Sequence, residues 1–523
     1  MKKTGSARPF SVKIETILGG RSSLLNFGQK GQYISSIGID PDFPISDSAT
    51  LPSGYLRPTS TEDFSSTQVN STPLWLATNP KDEKVYAYLD NGRFVSYSSS
   101  LASEALAATV TASGGNGMAY YDNYFYLMSN TDVARYGLLD GTPSITQNYW
   151  SSTLSLTSLT NTTYPSIDPS GANVEMPNHV AHRHTDDKLY FTDVHASGYG
   201  IINYIKTVSQ AGVNDGSTYN ALDFDYGVYP TALATYQTNL AVALIEGVST
   251  DVRQKNAKMS FWDTTSSSFA LITDDEFPDP LITATENVNG VLWVASGSAK
   301  GGCRISRYAG GYQHQQVFYD PDMFPPLQGA FKHLLNRVIF GSAVLYPSRY
   351  GLVTAIGSNA LGGQAAHGIL KASAAGANPY ITALAYVQND ALAKLSPIIG
   401  WKDGSTPGID KLSTAYGTSV FRSEMSRIGE PFRIEELIIP MATVLAANIT
   451  ITVKVFVDDG SSSVTMATIN NTNFPSRRII ALKNKKVIGQ HNFFVELTWS
   501  GSALGTVALP IQINGVLTSS NYA

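Results

Sequence analysis

The feature that most restricts the fold is a strand–turn–strand unit that returns along the chain. Val85-Tyr86-Ala87-Tyr88-Leu89 runs through Asp90-Asn91-Gly92 into Arg93-Phe94-Val95-Ser96-Tyr97. Two such stretches around Asn-Gly predict a tight hairpin, because Asn and Gly accept the positive φ of primed turns. Comparable second strands are anchored at Val85, Phe125, Leu189, Leu240, Val291, Val338 and Leu395. Asp122-Asn123, Asp186-Asp187, Thr238-Asn239, Asn289-Gly290, Asn336-Arg337 and Asn389-Asp390 mark the turns. The anchors are 40, 64, 51, 51, 47 and 57 residues apart. A mean of about 52 matches the period of four-stranded propeller blades, roughly 40 to 50 residues. The Ser/Thr/Gly/Ala-rich stretches 137–178 and 357–379 read as loop insertions in the two longer intervals. One such blade cannot bury both faces alone, whereas radial stacking buries them and leaves only short edges.

The expected fold is therefore all-β, with a β-propeller of about seven blades; six or eight also fit. A series of ordinary sandwiches is the competing reading. Trp262-Asp263 is the only Trp-Asp pair, so the repeats are not a WD40 array. Helical signals are weak, and Leu101 to Val110 is the best short candidate.

Near Ile428-Gly429-Glu430-Pro431 the pattern changes. Ile449, Ile451, Val453, Val455 and Val457 share one strand face, and Asp458-Asp459-Gly460 turns the chain. Phe493, Val495, Leu497 and Trp499 repeat the pattern, with Phe494, Glu496 and Thr498 expected to face outward. Residues 430–523 thus read as a small antiparallel β-sandwich, jelly-roll-like. The expected domains are an arm over 1–70, a propeller over 71–429 and the sandwich over 430–523. Strand-like pieces around Gly19-Gly20 can supply the strand that closes the propeller or reach onto a neighbouring subunit.

Composition narrows the function classes. Of 523 residues, 43% are hydrophobic and only 15% charged, with a net charge of −5. About 25% charged is usual, so the surface must be neutral-polar. Disorder is excluded, and the acidic balance argues against specific nucleic-acid binding. A single cysteine, Cys303, rules out an intramolecular disulfide and any multi-thiolate metal site. The thiol reads as a small apolar filler at the entrance to a strand. No apolar run has the roughly 18 residues of a membrane helix, and the basic start leads into no signal-peptide core.

Four of the eight histidines, His179, His182, His184 and His195, fall within 17 residues. On an extended strand His182 and His184 share a face, so with His179 they are metal-ligand candidates, completed by Asp186, Asp187 or Asp193. The competing reading makes them ordinary residues of an inner strand. Asp223 and Asp225 share a face, and Asp274-Asp275-Glu276 reads as a solvated loop. Asp458-Asp459-Gly460-Ser461 lacks the ligand pattern of a calcium loop. No nucleophile elbow or Walker spacing occurs. No cofactor is expected. The 28 tyrosines can stack on sugars or anchor interfaces, although Tyr120, Tyr121, Tyr124 and Tyr126 read as structural.

Several stretches carry a resemblance. They include Gly19-Gly20-Arg21-Ser22-Ser23-Leu24, Ile37-Gly38-Ile39-Asp40-Pro41-Asp42 and Leu159-Thr160-Asn161-Thr162-Thr163-Tyr164-Pro165. Others are Gly301-Gly302-Cys303-Arg304-Ile305-Ser306-Arg307-Tyr308, Gly400-Trp401-Lys402-Asp403-Gly404 and Phe493-Phe494-Val495-Glu496-Leu497-Thr498-Trp499-Ser500-Gly501. Together they resemble structural proteins of environmental tailed-bacteriophage genomes. The resemblance implies a non-enzymatic virion component associated with the tail as a nozzle, adaptor or fibre-associated part, made in the host cytoplasm without a signal peptide. Its implied partners are other virion proteins and copies of itself, with a host-surface glycan or receptor as a further expectation and no membrane insertion. A carbohydrate-binding propeller and a propeller glycan hydrolase or lyase are the alternatives.

Overall fold

The computed structural model describes residues 8–15, 20–21, 32–39, 55–56, 58, 61–63, 69–79, 84–98, 104–110, 115–129, 133–150, 181–195, 199–205, 218–246, 256–266, 274–298, 302–334, 337–345, 349–358, 364–389, 394–412, 418–442, 444–475, 478–501 and 505–518. Strands dominate, and the one helical segment among the described residues is the single turn Gln328–Ala330. No described helix is long and apolar enough to cross a membrane.

The chain divides into two compact units. One, Asp63–Leu352 with Ala372–Lys411, contains five complete four-stranded sheets, one to five below, and most strands of two more, all following one another in sequence order. Sheet one is Pro73–Thr78, Val85–Leu89, Arg93–Tyr97 and Glu104–Thr109. Sheet two is Gly117–Tyr121, Tyr124–Met128, Val133–Gly137 and Ser144–Trp150. Sheet three is Ala181–Arg183, Leu189–His195, Tyr199–Ile205 and Thr218–Tyr226. Sheet four is Val228–Tyr236, Asn239–Glu246, Lys258–Trp262 and Asp275–Glu276. Sheet five is Leu281–Val288, Val291–Gly297, Cys303–Tyr308 and Gln315–Asp320. Sheet six is Phe331–Leu334, Arg337–Val344, Tyr350–Ser358 and Gln364–Lys371. Sheet seven is Pro379–Asn389, Lys394–Asp403 and Thr406–Leu412, with Thr61–Asp63 as its fourth strand.

Apolar clusters join each sheet to the next. Tyr86 and Phe94 of sheet one meet Phe125 and Tyr136 of sheet two, with ring centroids 5.0 and 5.2 Å apart for Tyr86–Phe125 and Phe94–Tyr136. Tyr126 and Met128 pack with Leu189 and Phe191 of sheet three. Tyr190 reaches Trp262 of sheet four at 5.7 Å. Phe261 packs with Leu292 and Tyr308 of sheet five, and Phe318 meets Phe340 of sheet six at 6.2 Å. Gly341 of sheet six lies so close to Ile381 of sheet seven that a Cβ there would collide with it. Ile398 and Ile409 of sheet seven close the series on Leu76, Val85 and Val95 of sheet one. A radial stack of four-stranded sheets that returns to its start is a β-propeller.

The aromatic side chains do this joining because each offers a large apolar body, worth about 1.5–3 kcal/mol when buried. Tyr and Trp add a polar tip that needs a partner. Trp75 Nε1 donates to the Gly115 carbonyl at 2.7 Å, Tyr88 Oη to that of Met128 at 3.1 Å, and Tyr121 Oη to that of Asp187 at 2.6 Å. Fourteen of the 28 tyrosines are buried among the described residues, so much of the tyrosine expected at the surface is core instead.

The second unit gathers Met1–Glu62, Val353–Lys371 and Leu412–Ala523. One of its sheets runs Arg8–Ile14, Ile511–Leu517, Phe432–Pro440, Ile479–Gly489. A second runs Gly20–Arg21, Gln32–Ile37, Ser419–Ser423, Asn492–Gly501, Ile449–Val457, Ser462–Asn470, with Ser426–Arg427 also on Asn492–Gly501. The alternation over 449–457 is met: each apolar residue is buried, and Ile451, Val453, Val455 and Val457 stand opposite Trp499, Leu497, Val495 and Phe493. The division is not contiguous, unlike the 1–70, 71–429 and 430–523 read from sequence, because strands before residue 40 pair with strands after 418.

Three local expectations change. Glu104–Thr109 is a strand in which the pairing slips at Ala107, leaving Leu106 exposed and Ala108 buried. The Asp90-Asn91-Gly92 turn is a three-residue loop in which Gly92 has φ 82°, rather than a two-residue primed turn. Phe494 and Glu496, expected to face outward, are buried: Phe494 stacks on Phe456 at 4.7 Å, and Glu496 accepts a hydrogen bond from Arg422 Nε at 2.7 Å.

Candidate functional site

The first strands of neighbouring sheets touch one another, and a repeated local device sets how they do so. Strand pairing slips by one residue at Thr231, Thr283 and Thr382, between Pro230 and Ala232, Ile282 and Ala284, and Ile381 and Ala383. Each threonine precedes an alanine, in Thr231-Ala232-Leu233, Thr283-Ala284-Thr285 and Thr382-Ala383-Leu384. A bulge twists the strand and takes the side chain out of the ladder. Two of the three freed hydroxyls then cross to the next sheet: Thr231 Oγ1 donates to the Ile282 carbonyl at 2.8 Å and Thr382 Oγ1 to that of Pro73 at 2.6 Å. Thr285 Oγ1 donates back to the Leu233 carbonyl at 3.0 Å, and Asn287 Nδ2 to that of Thr235 at 2.6 Å.

Beyond these bulges the first strands carry a polar cluster, all of it within the propeller unit. His182 of sheet three and Thr235 of sheet four share a hydrogen bond of 2.7 Å. Glu286 of sheet five meets His333 Nδ1 of sheet six at 2.5 Å. Beside His333, the Lys332 ammonium lies 5.9 Å from the centre of the Trp75 ring of sheet one. Tyr386 of sheet seven has a buried hydroxyl without a hydrogen-bond partner, within electrostatic reach of Glu286 and Arg337.

Burial sets the protonation of this cluster. Desolvation lowers the pKa of His182 to about 4, against the smaller opposing pull of Glu286, so the half-buried imidazole is neutral at pH 7. The hydrogen bond to Glu286 raises that of His333. Desolvation holds the Tyr386 phenol well above its ordinary range, as a donor. The arrangement therefore offers one carboxylate, two permanent cations and neutral donors. It can bind and orient a polar group; it presents no activated nucleophile.

Among the described residues the histidines of the 179–195 stretch form no metal-binding group. His179 lies outside the described residues. The strand ends at Arg183, so alternation does not carry on to His184. Its imidazole is buried in the following turn instead, with Nδ1 3.2 Å from Asp186 Oδ1 and its ring edge-on to Tyr190. His195 closes its strand, and Asp193 is buried. Among the described residues no group of three or more His, Cys, Asp and Glu is placed to hold a metal ion.

Of the acidic run, Asp274 and Glu276 are exposed, as a solvated loop would have them, but Asp275 is engaged. Asp275–Glu276 is the outer strand of sheet four, and Asp275 Oδ2 accepts from Tyr308 Oη at 2.7 Å and from the His314 backbone N–H at 2.8 Å, with His314 Nδ1 also 2.8 Å away. Asp223 and Asp225 are exposed on the outer strand of sheet three. Cys303 is buried at the start of its strand, as the sequence suggests. Asp458 and Gly460 turn a hairpin with φ of 56° and 78°. The polar cluster itself escaped the sequence reading, although the recurring Thr-Ala pairs mark three of the six strands that carry it.

No family model matches the chain, and no curated protein matches it. Among solved structures it is similar to the β-propeller domain of Cps50 (Swd1) from Myceliophteria thermophila, at 9% identity and a TM-score of 0.42, covering 68% of this chain and 98% of that one. The computationally designed Ika8 protein is similar at 12% identity and a TM-score of 0.36, with 69% and 97% covered. Regucalcin from Agrobacterium tumefaciens, a calcium-binding protein, is similar at 10% identity and a TM-score of 0.34, with 54% and 85% covered. Likeness this loose carries no argument, and the fold rests on the sheet order and packing of the chain itself.

Proposed function

We propose that the chain is a structural component of a tailed-bacteriophage virion, associated with the tail, built from a seven-bladed propeller and a β-sandwich, and acting by assembly with other virion proteins and with copies of itself. Its seventh blade takes its fourth strand from Thr61–Asp63, far upstream of the other three, so a distant segment completes that blade as its outer strand. The sandwich is closed in the same way, with Arg8–Ile14 laid antiparallel on Ile511–Leu517. This double closure by distant segments is the observation that carries the proposal. It suits a part that must hold its shape in a particle without disulfides or a cofactor. The sequence resemblance supplies the virion setting.

The hydrogen bonding of two carboxylates supports assembly over catalysis. Asp410 accepts from Ser373 N, Ser373 Oγ and Trp401 Nε1, each at 2.7 Å, and Asp275 Oδ2 accepts from Tyr308 Oη and from His314 N. Carboxylates consumed in this way brace strands. Mass spectrometry of gradient-purified particles from a phage that encodes the chain tests the proposal. The expected result is a fixed copy number per particle that matches a rotational symmetry of the tail; absence of the chain from intact particles overturns it.

A further inference from the structure

Charge is divided unevenly between the two units. The propeller unit carries 19 basic and 29 acidic residues, a net charge of −10, whereas the second unit carries 17 basic and 12 acidic, a net charge of +5. Four of those cations gather at Ile479–Gly489, which ends its sheet and pairs on one side with Phe432–Pro440. Lys483, Lys485 and Lys486 are exposed on this strand and Arg478 just before it, and none of the four joins an ion pair among the described residues. Lys483 stands opposite Glu436, and the nearby Glu435 is taken by Arg433; Lys485 and Lys486 lie where the pairing slips and have no registered partner. Ile479 and Ile488, 67% and 57% exposed, flank the cations at the two ends of the strand. Lysines on an edge repel a second copy of the same strand and attract an acidic surface.

The propeller carries a surface of the opposite sign on sheet two. Asp122 and Asp140 are exposed there, beside the exposed Tyr120 and Leu138. Hydrogen bonds gather the four residues: Tyr120 Oη donates to Asn123 Oδ1 at 3.1 Å, Asn123 Nδ2 to Asp140 Oδ2 at 3.3 Å, and Leu139 N to the Asn123 carbonyl at 3.1 Å. We propose that copies of the chain associate head to tail, the basic strand Ile479–Gly489 of one copy docking on the acidic sheet-two patch of the next. Charge then meets opposite charge, and exposed isoleucines meet an exposed tyrosine and leucine. The contact joins two different surfaces, so it builds a ring when the rotation between copies closes. The inference rests on the assembly with copies of itself proposed above and names the surfaces that perform it.

Sedimentation velocity of the full chain at about 100 μM tests the inference. The wild type should self-associate, and the association should weaken about tenfold or more as salt rises from about 50 to about 500 mM. Lys485→Glu/Lys486→Glu and, separately, Asp122→Asn/Asp140→Asn should each weaken it about tenfold or more. An equimolar mixture of the two variants should regain a one-to-one complex, because the intact strand of one meets the intact patch of the other. A monomeric wild type overturns the inference even if a variant fails to fold, as does association that neither variant changes or a mixture that stays monomeric. Retention of a monomeric wild type on vesicles of anionic phospholipid overturns it in favour of a lipid surface. A chain present in purified particles yet monomeric in solution overturns the docking and leaves the virion proposal standing.

Discussion

At the scale of single residues, the propeller is joined by aromatic side chains whose polar ends cross to the next sheet. Tyr121 shows the cost of losing one such end: its ring stays between sheets two and three in Tyr121→Phe, while the Asp187 carbonyl loses its 2.6 Å donor. The variant should lose about 1 kcal/mol in urea unfolding, with the slope unchanged. His182 makes stability depend on pH. Its folded pKa, about 4, lies below its ordinary 6.5, so between these values the unfolded chain binds a proton that the folded chain does not. Stability from this group is complete above pH 6.5 and falls as the pH drops toward 4, by at most about 3 kcal/mol and by less for a half-buried ring. His333, with its raised pKa, contributes in the opposite sense, but more than half of its side chain is exposed and its weight is small. The melting temperature of the wild type should therefore fall more between pH 7 and pH 5 than that of His182→Gln; equal falls would contradict the assignment. Tyrosine content was visible in the sequence, but its use was not, because a half-buried strand residue and a surface platform have the same composition.

At the scale of elements, bulges and closing strands decide the architecture. The Thr-Ala bulges bring first strands near enough for hydroxyls to bond across sheets, and the turn Gln328–Ala330 is held in the same way. Gln328 Oε1 accepts from Thr285 N at 2.9 Å and its Nε2 donates to the Thr285 carbonyl at 2.9 Å. Gly329 in that turn lies against the backbone carbonyl of Leu74, which a Cβ would strike. Gly329→Ala should cost about 1–3 kcal/mol by overpacking, read as a lower melting temperature. In the second unit, removal of residues 1–14 would uncover Ile511–Leu517 as a new edge. Limited proteolysis of that truncation should cut near the C-terminus at protease levels that leave the full chain whole. Such pairings are hard to read from a sequence, because alternation gives a strand's faces and says nothing of which distant strand lies beside it. The His182–His184 expectation failed for a related reason: the period of two holds only while the strand lasts, and it ends at Arg183.

At the scale of the whole molecule, the repeat was legible. Each of the seven anchors, from Val85 to Leu395, falls in the second strand of a different four-stranded sheet. Second strands are buried on both faces, so their apolar runs stand out, whereas the polar cluster rests on scattered residues from six sheets that only the closed stack brings together. Sheets completed by distant strands and carboxylates hydrogen-bonded between strands fit a scaffold that acts by assembly. The most direct measurement is an electron cryo-microscopy reconstruction of the intact particle of a phage that encodes the chain. The expected result is tail density, repeated by the tail symmetry, into which the four-stranded sheets of the propeller fit. A reconstruction in which every tail density is assigned to other chains would contradict it.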